Sequence, residues 1–340
     1  MPLKSIEWAD GIIKIINQNR LPEELVYEEL KSLEDVIQAI VEMKIRGAPL
    51  IGVTSALGLA LVANQLKNRP KDEIVRKLVD AGRKLLNTRP TAINLKWAVN
   101  RVLKGIEEVK NPAEEVISRA LSLMEEDIRV NEKLSQFGEK LLNDGDVVLT
   151  HCNAGSLATV TMGTALGVIY AAVSSGKRIR VYATETRPKL QGARLTAFEL
   201  KHEGIDVTVI PDTAVGFVMR KGLIKKVIVG ADRILRDGTT YNKIGTYQIA
   251  ILANYHKIPL YVAAPSSTFD LESSREDVII EERDWREVAF IGNKRIVPEG
   301  VKIYNPAFDE TPPNLISAFI TERGIIHPPF DINIPKTMGT

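Results

Sequence analysis

The spacing of hydrophobic and polar positions changes part-way along this chain. Up to about residue 130, apolar residues recur mainly at helical spacing, beginning with Val36, Ile37 and Ile40. Ser32 and Asp35 stand three residues apart at the start of this pattern, a weak capping box. The next helices that the spacing predicts cover residues 51–66, 71–86, 95–109 and 113–142. The first part of the chain is therefore predicted to be mainly helical.

From Gly145 onward, short β-branched runs alternate with helical segments. Continuous apolar strands that alternate with helices indicate a parallel sheet covered on both faces. The predicted strands cover residues 147–150, 179–184, 206–210, 226–230 and 260–264. The predicted helices cover residues 157–174, 192–203, 212–220 and 245–255. The fold class is therefore α/β, with a helical N-terminal domain at 1–130 and a mostly parallel, doubly wound sheet domain at 131–340.

Composition and charge exclude several classes of protein. The chain has 340 residues, 44% hydrophobic and 26% charged, with a net charge of +2. These values are typical of a soluble globular protein and give no sign of a nucleic-acid or membrane partner. No uninterrupted apolar run reaches the roughly 18 residues that span a bilayer, and the first ten residues lack a signal pattern. We therefore expect a cytoplasmic protein.

Motifs for common cofactors are missing from the sequence. No phosphate-binding G-x-x-x-x-G-K-[ST] and no G-x-G-x-x-G after a strand is present. The single cysteine excludes an internal disulfide and a zinc site built from several cysteines. We expect neither a cofactor nor a metal.

The single cysteine, Cys152, stands at the end of a predicted strand and before a glycine-containing turn. Open α/β sheets bind their ligands at this position, so the thiol is either a reactive group or a small buried hydrophobe. His151 precedes it, but adjacent residues of a strand point to opposite faces. A Cys–His dyad is therefore not expected.

Asp232 follows another apolar strand and two small residues, Gly230 and Ala231. A partly desolvated carboxyl group there holds a proton more readily and can donate it near neutral pH. The structural alternative, which carries the same weight as the functional one on sequence alone, is that Asp232 caps the next turn or pairs with Arg233.

Basic residues occupy several turns that precede predicted helices. Arg46-Gly47-Ala48-Pro49 and Thr88-Arg89-Pro90 share this form, and Asn242-Lys243 precedes a helix that begins near Gly245. A cation beside a helix N-terminus suits a phosphate group. The alternatives are a plain helix break with a solvated arginine and ordinary surface loops. The polar stretch 184–194, which contains Gln191, is likewise either a site loop or a solvated loop.

Together these motifs resemble one known family. The matching stretches are Arg46-Gly47-Ala48-Pro49, Thr88-Arg89-Pro90-Thr91-Ala92, His151-Cys152-Asn153-Ala154-Gly155, Glu185-Thr186-Arg187-Pro188, Gly230-Ala231-Asp232-Arg233, Asn242-Lys243-Ile244-Gly245 and Asn305-Pro306-Ala307-Phe308-Asp309. In this order they resemble the S-methyl-5-thioribose-1-phosphate isomerases, which are grouped with the α, β and δ subunits of translation initiation factor 2B. The resemblance covers nearly the whole chain.

The resemblance implies a Rossmann-like C-terminal domain, a homodimer and a place in methionine salvage. It implies that Asp232 is the proton donor and that Cys152 is the second catalytic residue. It also implies a set of substrate-binding residues: Arg46, Gly47, Ala48, Arg89, Gln191, Asn242 and Lys243.

Several alternatives remain open at this point. Cys152 acts either as a thiolate base in a proton-transfer route or as part of an apolar pocket in a hydride-transfer route. A relative with the same fold would isomerise ribose 1,5-bisphosphate instead. A regulatory subunit would bind ligands without needing the Cys152 and Asp232 pair.

Overall fold

The computed structural model describes residues 2–89 and 92–339, which form two compact units. The first unit comprises Met1–Lys133 and Ala154–Gly167, and the second comprises Leu134–Asn153 and Val168–Thr340. A short later segment, Ala154–Gly167, thus belongs with the first unit.

A three-stranded antiparallel sheet, which the sequence analysis missed, begins the first unit. It consists of β1 (Ile6–Ala9), β2 (Ile12–Ile16) and β3 (Tyr27–Leu30). In β2, Ile13 and Ile15 are buried while Lys14 between them is exposed, as the alternation of a strand requires. The prediction of a mainly helical first part did not include these strands, because they are short and all three carry charged residues.

Five helices follow in the first unit. They are α1 (Leu33–Val41), α2 (Ala48–Leu66), α3 (Lys71–Leu86), α4 (Ile93–Leu103) and α5 (Pro112–Gly138), which extends into the second unit. The capping box of Ser32 and Asp35 at the start of α1 is confirmed. The helix predicted to reach 109 ends at Leu103, shortly before Gly105, which adopts a positive φ of 61°.

Helix α2 is both long and strongly apolar. It is long and apolar enough to cross a membrane by length and composition, but 72% of its most apolar window is buried inside the protein. Side chains on different faces of the helix, such as Leu50, Ala56 and Leu59, are fully buried. A helix that is apolar all round is also the expected centre of a helical core, and α2 packs with α1, α3 and α4 in that way.

The second unit is built on a seven-stranded sheet. Its strand order is β16-β15-β10-β7-β4-β5-β6, parallel except for the edge strand β16. The bounds of these strands are β4 (Val147–Thr150), β5 (Arg180–Thr184), β6 (Asp206–Ile210), β7 (Lys226–Val229), β10 (Leu260–Ala263), β15 (Ala318–Thr321) and β16 (Gly324–Ile326). All five strands predicted from the sequence are present within one residue, which confirms the mostly parallel sheet.

Smaller strands form a second sheet and a hairpin that were not predicted. The second sheet has the order β11-β8-β9-β14, and the hairpin pairs β12 with β13. The bounds are β8 (Arg233–Leu235), β9 (Thr240–Lys243), β11 (Phe269–Asp270), β12 (Phe290–Ile291), β13 (Lys294–Arg295) and β14 (Phe308–Thr311). This second sheet carries Asn242 and Lys243 in β9.

Six further α-helices follow among the described residues. They are α6 (Ala165–Ser174), α7 (Ala197–His202), α8 (Val215–Arg220), α9 (Thr246–Tyr255), α10 (Arg286–Ala289) and α11 (Phe330–Met338). A π-helical turn, Gly192–Thr196, leads into α7.

The helix predicted over 157–174 begins only at Ala165. The preceding residues pack in the first unit, where the Ser5 hydroxyl donates to the Ser156 carbonyl at 2.7 Å. There the Val160 N–H also donates to the Asp127 carboxylate at 2.8 Å. These long-range hydrogen bonds take the place of helical ones, so residues 157–164 do not form the predicted helix.

Candidate active site

The strand order of the large sheet places Cys152 and Asp232 at its switch point. Counted along the chain, its six parallel strands have the order 3-2-1-4-5-6, in which β4 is the first and β7 the fourth. These two strands are paired neighbours, and the chain leaves them in opposite directions along the sheet. Cys152 follows the carboxyl end of β4, and Asp232 follows that of β7. Sheets of this kind bind ligands in the crevice at this point.

The backbone of Cys152 turns sharply away from β4. Its φ of 61° lies in the left-handed region, which a residue with a Cβ seldom adopts. Its N–H donates to Thr186 Oγ1 at 2.9 Å, and its carbonyl accepts from Thr196 Oγ1 at 2.7 Å. The thiol is half-buried, so Cys152 is a residue held in a special conformation and not a fully buried hydrophobe.

His151 is buried, and both of its ring nitrogens are engaged. Nε2 lies 2.8 Å from the Ile244 carbonyl oxygen, and Nδ1 lies 2.6 Å from Thr184 Oγ1. Burial lowers the pKa of His151, which favours the neutral ring. Because a carbonyl only accepts, Nε2 carries the proton and Nδ1 accepts from the Thr184 hydroxyl. His151 therefore does not activate the adjacent thiol, in agreement with the sequence analysis.

The polar loop after β5 is not a solvated loop. Gln191 is 5% exposed, and its Oε1 atom is buried without a hydrogen-bond partner among residues 2–89 and 92–339. Such an atom costs free energy unless a ligand or water pairs with it. Asp212 fixes the start of the loop by accepting the N–H groups of Thr186 at 2.8 Å and Arg187 at 2.7 Å. The loop thus presents Gln191 from a fixed backbone.

Asp232 lies half-buried between β7 and β8, and its N–H donates to the Tyr241 carbonyl at 2.9 Å. The next residue begins strand β8, so Asp232 does not stand at the start of a helix. Arg233 has its own ion-pair partner in Asp270 at 3.6 Å.

Asn242 and Lys243 end strand β9 in a well-ordered turn. Asn242 is 5% exposed and donates from Nδ2 to Thr246 Oγ1 at 3.0 Å, which argues against a surface loop. Lys243 Nζ donates to the Ala307 carbonyl at 3.0 Å and lies 4.4 Å from the centre of the Phe308 ring. The ammonium group is thereby held at a defined place beside an aromatic face.

Asp309 is a residue of this region whose role the sequence analysis did not identify. Its carboxylate accepts the N–H of Gly245 at 2.6 Å and that of Tyr247 at 3.1 Å, at the start of α9. Burial raises the pKa of Asp309 to about 6. The N-terminus of α9 was expected to bind a phosphate together with Lys243, but it already holds this carboxylate. The prediction of a helix-terminus anion site was therefore wrong for α9.

In the first unit, Arg46, Gly47 and Ala48 form the start of α2. Arg46 is 7% exposed, so the alternative of a solvated arginine is wrong. Gly47 has a φ of 97°, and a Cβ on it would lie 2.7 Å from the Cα of Ala158. Glycine is thus required there, and the first turn of α2 contains no acidic residue. The partial positive charge at this helix end is therefore not neutralised by an acidic residue of its own first turn.

Arg89 is half-buried, and its carbonyl oxygen accepts the N–H of Ala92, the residue before α4. Pro90 and Thr91, which belong to the same sequence motif, lie outside the described residues.

Comparison with known proteins agrees with this geometry. The model of the initiation factor 2 subunit family matches residues 44–328. A methylthioribose-1-phosphate isomerase from Thermotoga petrophila is 51% identical over 340 residues, covering 99% of this chain and 98% of its own. The chain belongs to this family, among its methylthioribose-1-phosphate isomerases. The family predicted from the sequence is thereby confirmed.

Two solved structures of the family are similar along nearly the whole chain. The 5-methylthioribose 1-phosphate isomerase of Pyrococcus horikoshii has a TM-score of 0.93 at 42% identity, with 99% of this chain and 96% of that chain covered. A protein of A. fulgidus described as translation initiation factor eIF-2B subunit delta has a TM-score of 0.89 at 49% identity, with 99% and 100% covered. The family's helical N-terminal region and Rossmann-like sheet are thus present here.

Proposed function

We propose that this protein is an aldose–ketose isomerase that converts 5-methylthioribose 1-phosphate to 5-methylthioribulose 1-phosphate in methionine salvage. The observation that carries the proposal is the placement of Cys152 and Asp232 after neighbouring strands at the switch point of the large sheet. The carboxyl group at this ligand-binding edge supplies the proton donor that the reaction needs, and the thiol assists the transfer of hydrogen.

The substrate dictates the first step. Its anomeric oxygen carries the phosphate, so the sugar cannot open spontaneously to a free aldehyde. The bond between C1 and the ring oxygen must break while the phosphate stays attached. Asp232 donates a proton to the ring oxygen, which makes that oxygen a better leaving group. The half-buried position of Asp232 suits this role.

The second step moves hydrogen between C2 and C1, assisted by Cys152. In a proton route, a Cys152 thiolate removes the C2 proton, and the resulting enol takes a proton at C1 as C2 becomes the ketone. In a hydride route, hydrogen moves with its electron pair from C2 to C1 while the C2 hydroxyl loses its proton. A substrate deuterated at C2 separates the two: the hydride route keeps the label at C1, and the proton route exchanges it with solvent.

Substrate binding is assigned to seven further residues. Gln191 brings the buried Oε1 atom that has no protein partner, and Asn242 and Lys243 present an amide and an ammonium group. Four residues of the first unit are assigned to the phosphate group of the substrate: Arg46, Gly47, Ala48 and Arg89.

A comparison of two substrates tests the activity. The purified protein is incubated with 5-methylthioribose 1-phosphate and, separately, with ribose 1,5-bisphosphate, and ketose formation is followed. We expect the methylthio sugar to be converted at a kcat/KM at least about 100-fold higher. Conversion of the bisphosphate alone would contradict the proposal. Conversion of neither sugar would favour the alternative of a regulatory subunit that binds ligands without turning them over.

We further propose that the protein is a homodimer in the cytoplasm. Helix α9 leaves three large apolar side chains exposed at i, i+4 and i+8, namely Tyr247 (43%), Ile251 (43%) and Tyr255 (79%). An apolar stripe of this kind suits burial against a second copy of the chain. Analytical ultracentrifugation of wild type and of Ile251→Glu tests this; a monomeric wild type would contradict it.

A further inference from the structure

Threonine hydroxyls bind both backbone polar groups of Cys152. Thr186 Oγ1 accepts the Cys152 N–H at 2.9 Å, and Thr196 Oγ1 donates to the Cys152 carbonyl at 2.7 Å. The left-handed conformation of Cys152 is unfavourable for a residue with a Cβ. Such a conformation persists only where the surroundings fix it. The hydroxyl groups of Thr186 and Thr196 fix the conformation of Cys152.

Thr186 is itself held on several sides. Its φ is 63°, and its N–H is bound to Asp212. Its Oγ1 lies 3.2 Å from Thr184 Oγ1, whose hydrogen is directed to His151 Nδ1. Thr186 therefore donates toward Thr184 and keeps its lone pairs for the Cys152 N–H. The chain of hydrogen bonds that starts at the buried His151 thus ends at the Cys152 backbone.

Thr196 is part of a second buried group. It accepts from Asn153 Nδ2 at 3.1 Å while donating to the Cys152 carbonyl. Asn153 Nδ2 also donates to Glu199 Oε1 at 2.7 Å, and Glu199 Oε2 accepts from the Tyr170 hydroxyl at 3.1 Å. The backbone on both sides of the thiol is therefore tied to buried, hydrogen-bonded side chains.

We propose that Thr186 and Thr196 are positioning residues for the Cys152 thiol. By fixing the left-handed turn, they set the direction in which the side chain leaves the end of β4, because an extended residue there would follow the alternation of the strand. Neither threonine needs to touch the substrate for this role. The inference rests on the proposed function of Cys152 as a catalytic residue.

Isosteric variants separate the effect of the threonine hydroxyl groups from the effect of side-chain packing. Both threonines are fully buried, and Thr186→Val or Thr196→Val removes the oxygen while keeping the shape. Thr186→Ser and Thr196→Ser keep the oxygen and serve as matched controls. A displaced thiol should lower kcat by about 10- to 100-fold. KM should change less than about threefold, since Gln191 and Lys243 stay in place.

Alkylation of the thiol gives a measurement that does not depend on turnover. Cys152 is the only cysteine of the chain, so all iodoacetamide labelling reports on it. For each valine variant that circular dichroism shows to be folded, we expect the alkylation rate to change by at least about threefold. The serine variants should stay within about twofold of wild type in both alkylation and kcat.

Two results would overturn the inference. One is that both valine variants keep wild-type kcat and alkylation rate. The other is that serine and valine variants lose kcat alike, which would assign the effect to size. If Thr186→Val does not fold, Thr196→Val decides between these results. Wild-type turnover in Cys152→Ser would instead contradict the proposed role of Cys152, and the alkylation rates would still test the positioning.

Discussion

Gly192 lies so close to Thr184 that a Cβ on the glycine would be 1.7 Å from the Thr184 carbonyl oxygen. No side chain fits at that distance, so either the end of β5 or the π-helical turn would have to move. This close approach fixes where the loop begins and hence where Gln191 stands, one residue earlier in the chain. The glycine is thus required by space and not by an unusual φ.

We expect Gly192→Ala to destabilise the fold by about 2–3 kcal/mol or more, since neither backbone can give way without breaking hydrogen bonds. Gly216→Ala is the matched control. Its Cβ would meet only Leu252 at 3.4 Å, an ordinary contact, and alanine in α8 should stabilise by up to about 1 kcal/mol. Urea unfolding of both variants tests this. Equal stability of Gly192→Ala and wild type would contradict the close contact.

Gln191→Leu should separate binding from stability. The variant removes a buried oxygen that has no protein partner, so the free energy of unfolding should stay the same or rise by about 1 kcal/mol. The substrate loses a hydrogen bond, and KM should rise roughly tenfold. Thr268→Val, which also removes an unpartnered buried oxygen, is the control and should leave KM unchanged. An unchanged KM in Gln191→Leu would remove Gln191 from the binding site.

Asp309 should make stability depend on pH in a defined direction. Burial raises its pKa from 3.8 to about 6, so between these values the folded state keeps a proton that the unfolded state has released. The contribution of Asp309 to stability therefore falls as pH rises from about 4 to about 6, by about 3 kcal/mol in total. Asp309→Asn cannot titrate and should lack this fall.

Urea unfolding of wild type and Asp309→Asn across this pH range provides the measurement. The stability of the variant relative to wild type should increase with pH. Asp277→Asn is a control, because the Ser274 hydrogen bonds lower the pKa of the exposed Asp277. Its effect should therefore be confined to more acidic solutions. A stability difference for Asp309→Asn that does not vary with pH would contradict the assigned pKa shift.

The sequence predicted the large sheet well because its strands are local apolar runs. Val147–Thr150 and Lys226–Val229 are buried almost throughout, and such runs bounded by turns are recognisable without any partner. The sequence analysis missed strands β1 to β3 because they are short and because their apolar residues are interspersed with charged ones. The Asp10-Gly11 dipeptide between β1 and β2 was the signal that could have identified the hairpin.

The site was predictable in its residue types but not in its connections. Cys152 and Asp232 were recognisable because each follows a strand. Thr186 and Thr196 contact Cys152 across 34 and 44 residues of sequence, and Asp309 reaches Gly245 across 64. Periodicity and local motifs carry no information about such distant partners. For the same reason the N-terminus of α9 was taken for an anion site although Asp309 occupies it.

The most direct test of this account is the rate at which the purified protein converts 5-methylthioribose 1-phosphate, compared with Asp232→Asn and Cys152→Ser. Both substitutions preserve size closely, so the fold should remain intact by circular dichroism. We predict that wild type forms 5-methylthioribulose 1-phosphate and that each variant loses at least about 1,000-fold in kcat. Wild-type turnover in either variant would contradict the catalytic role given to that residue.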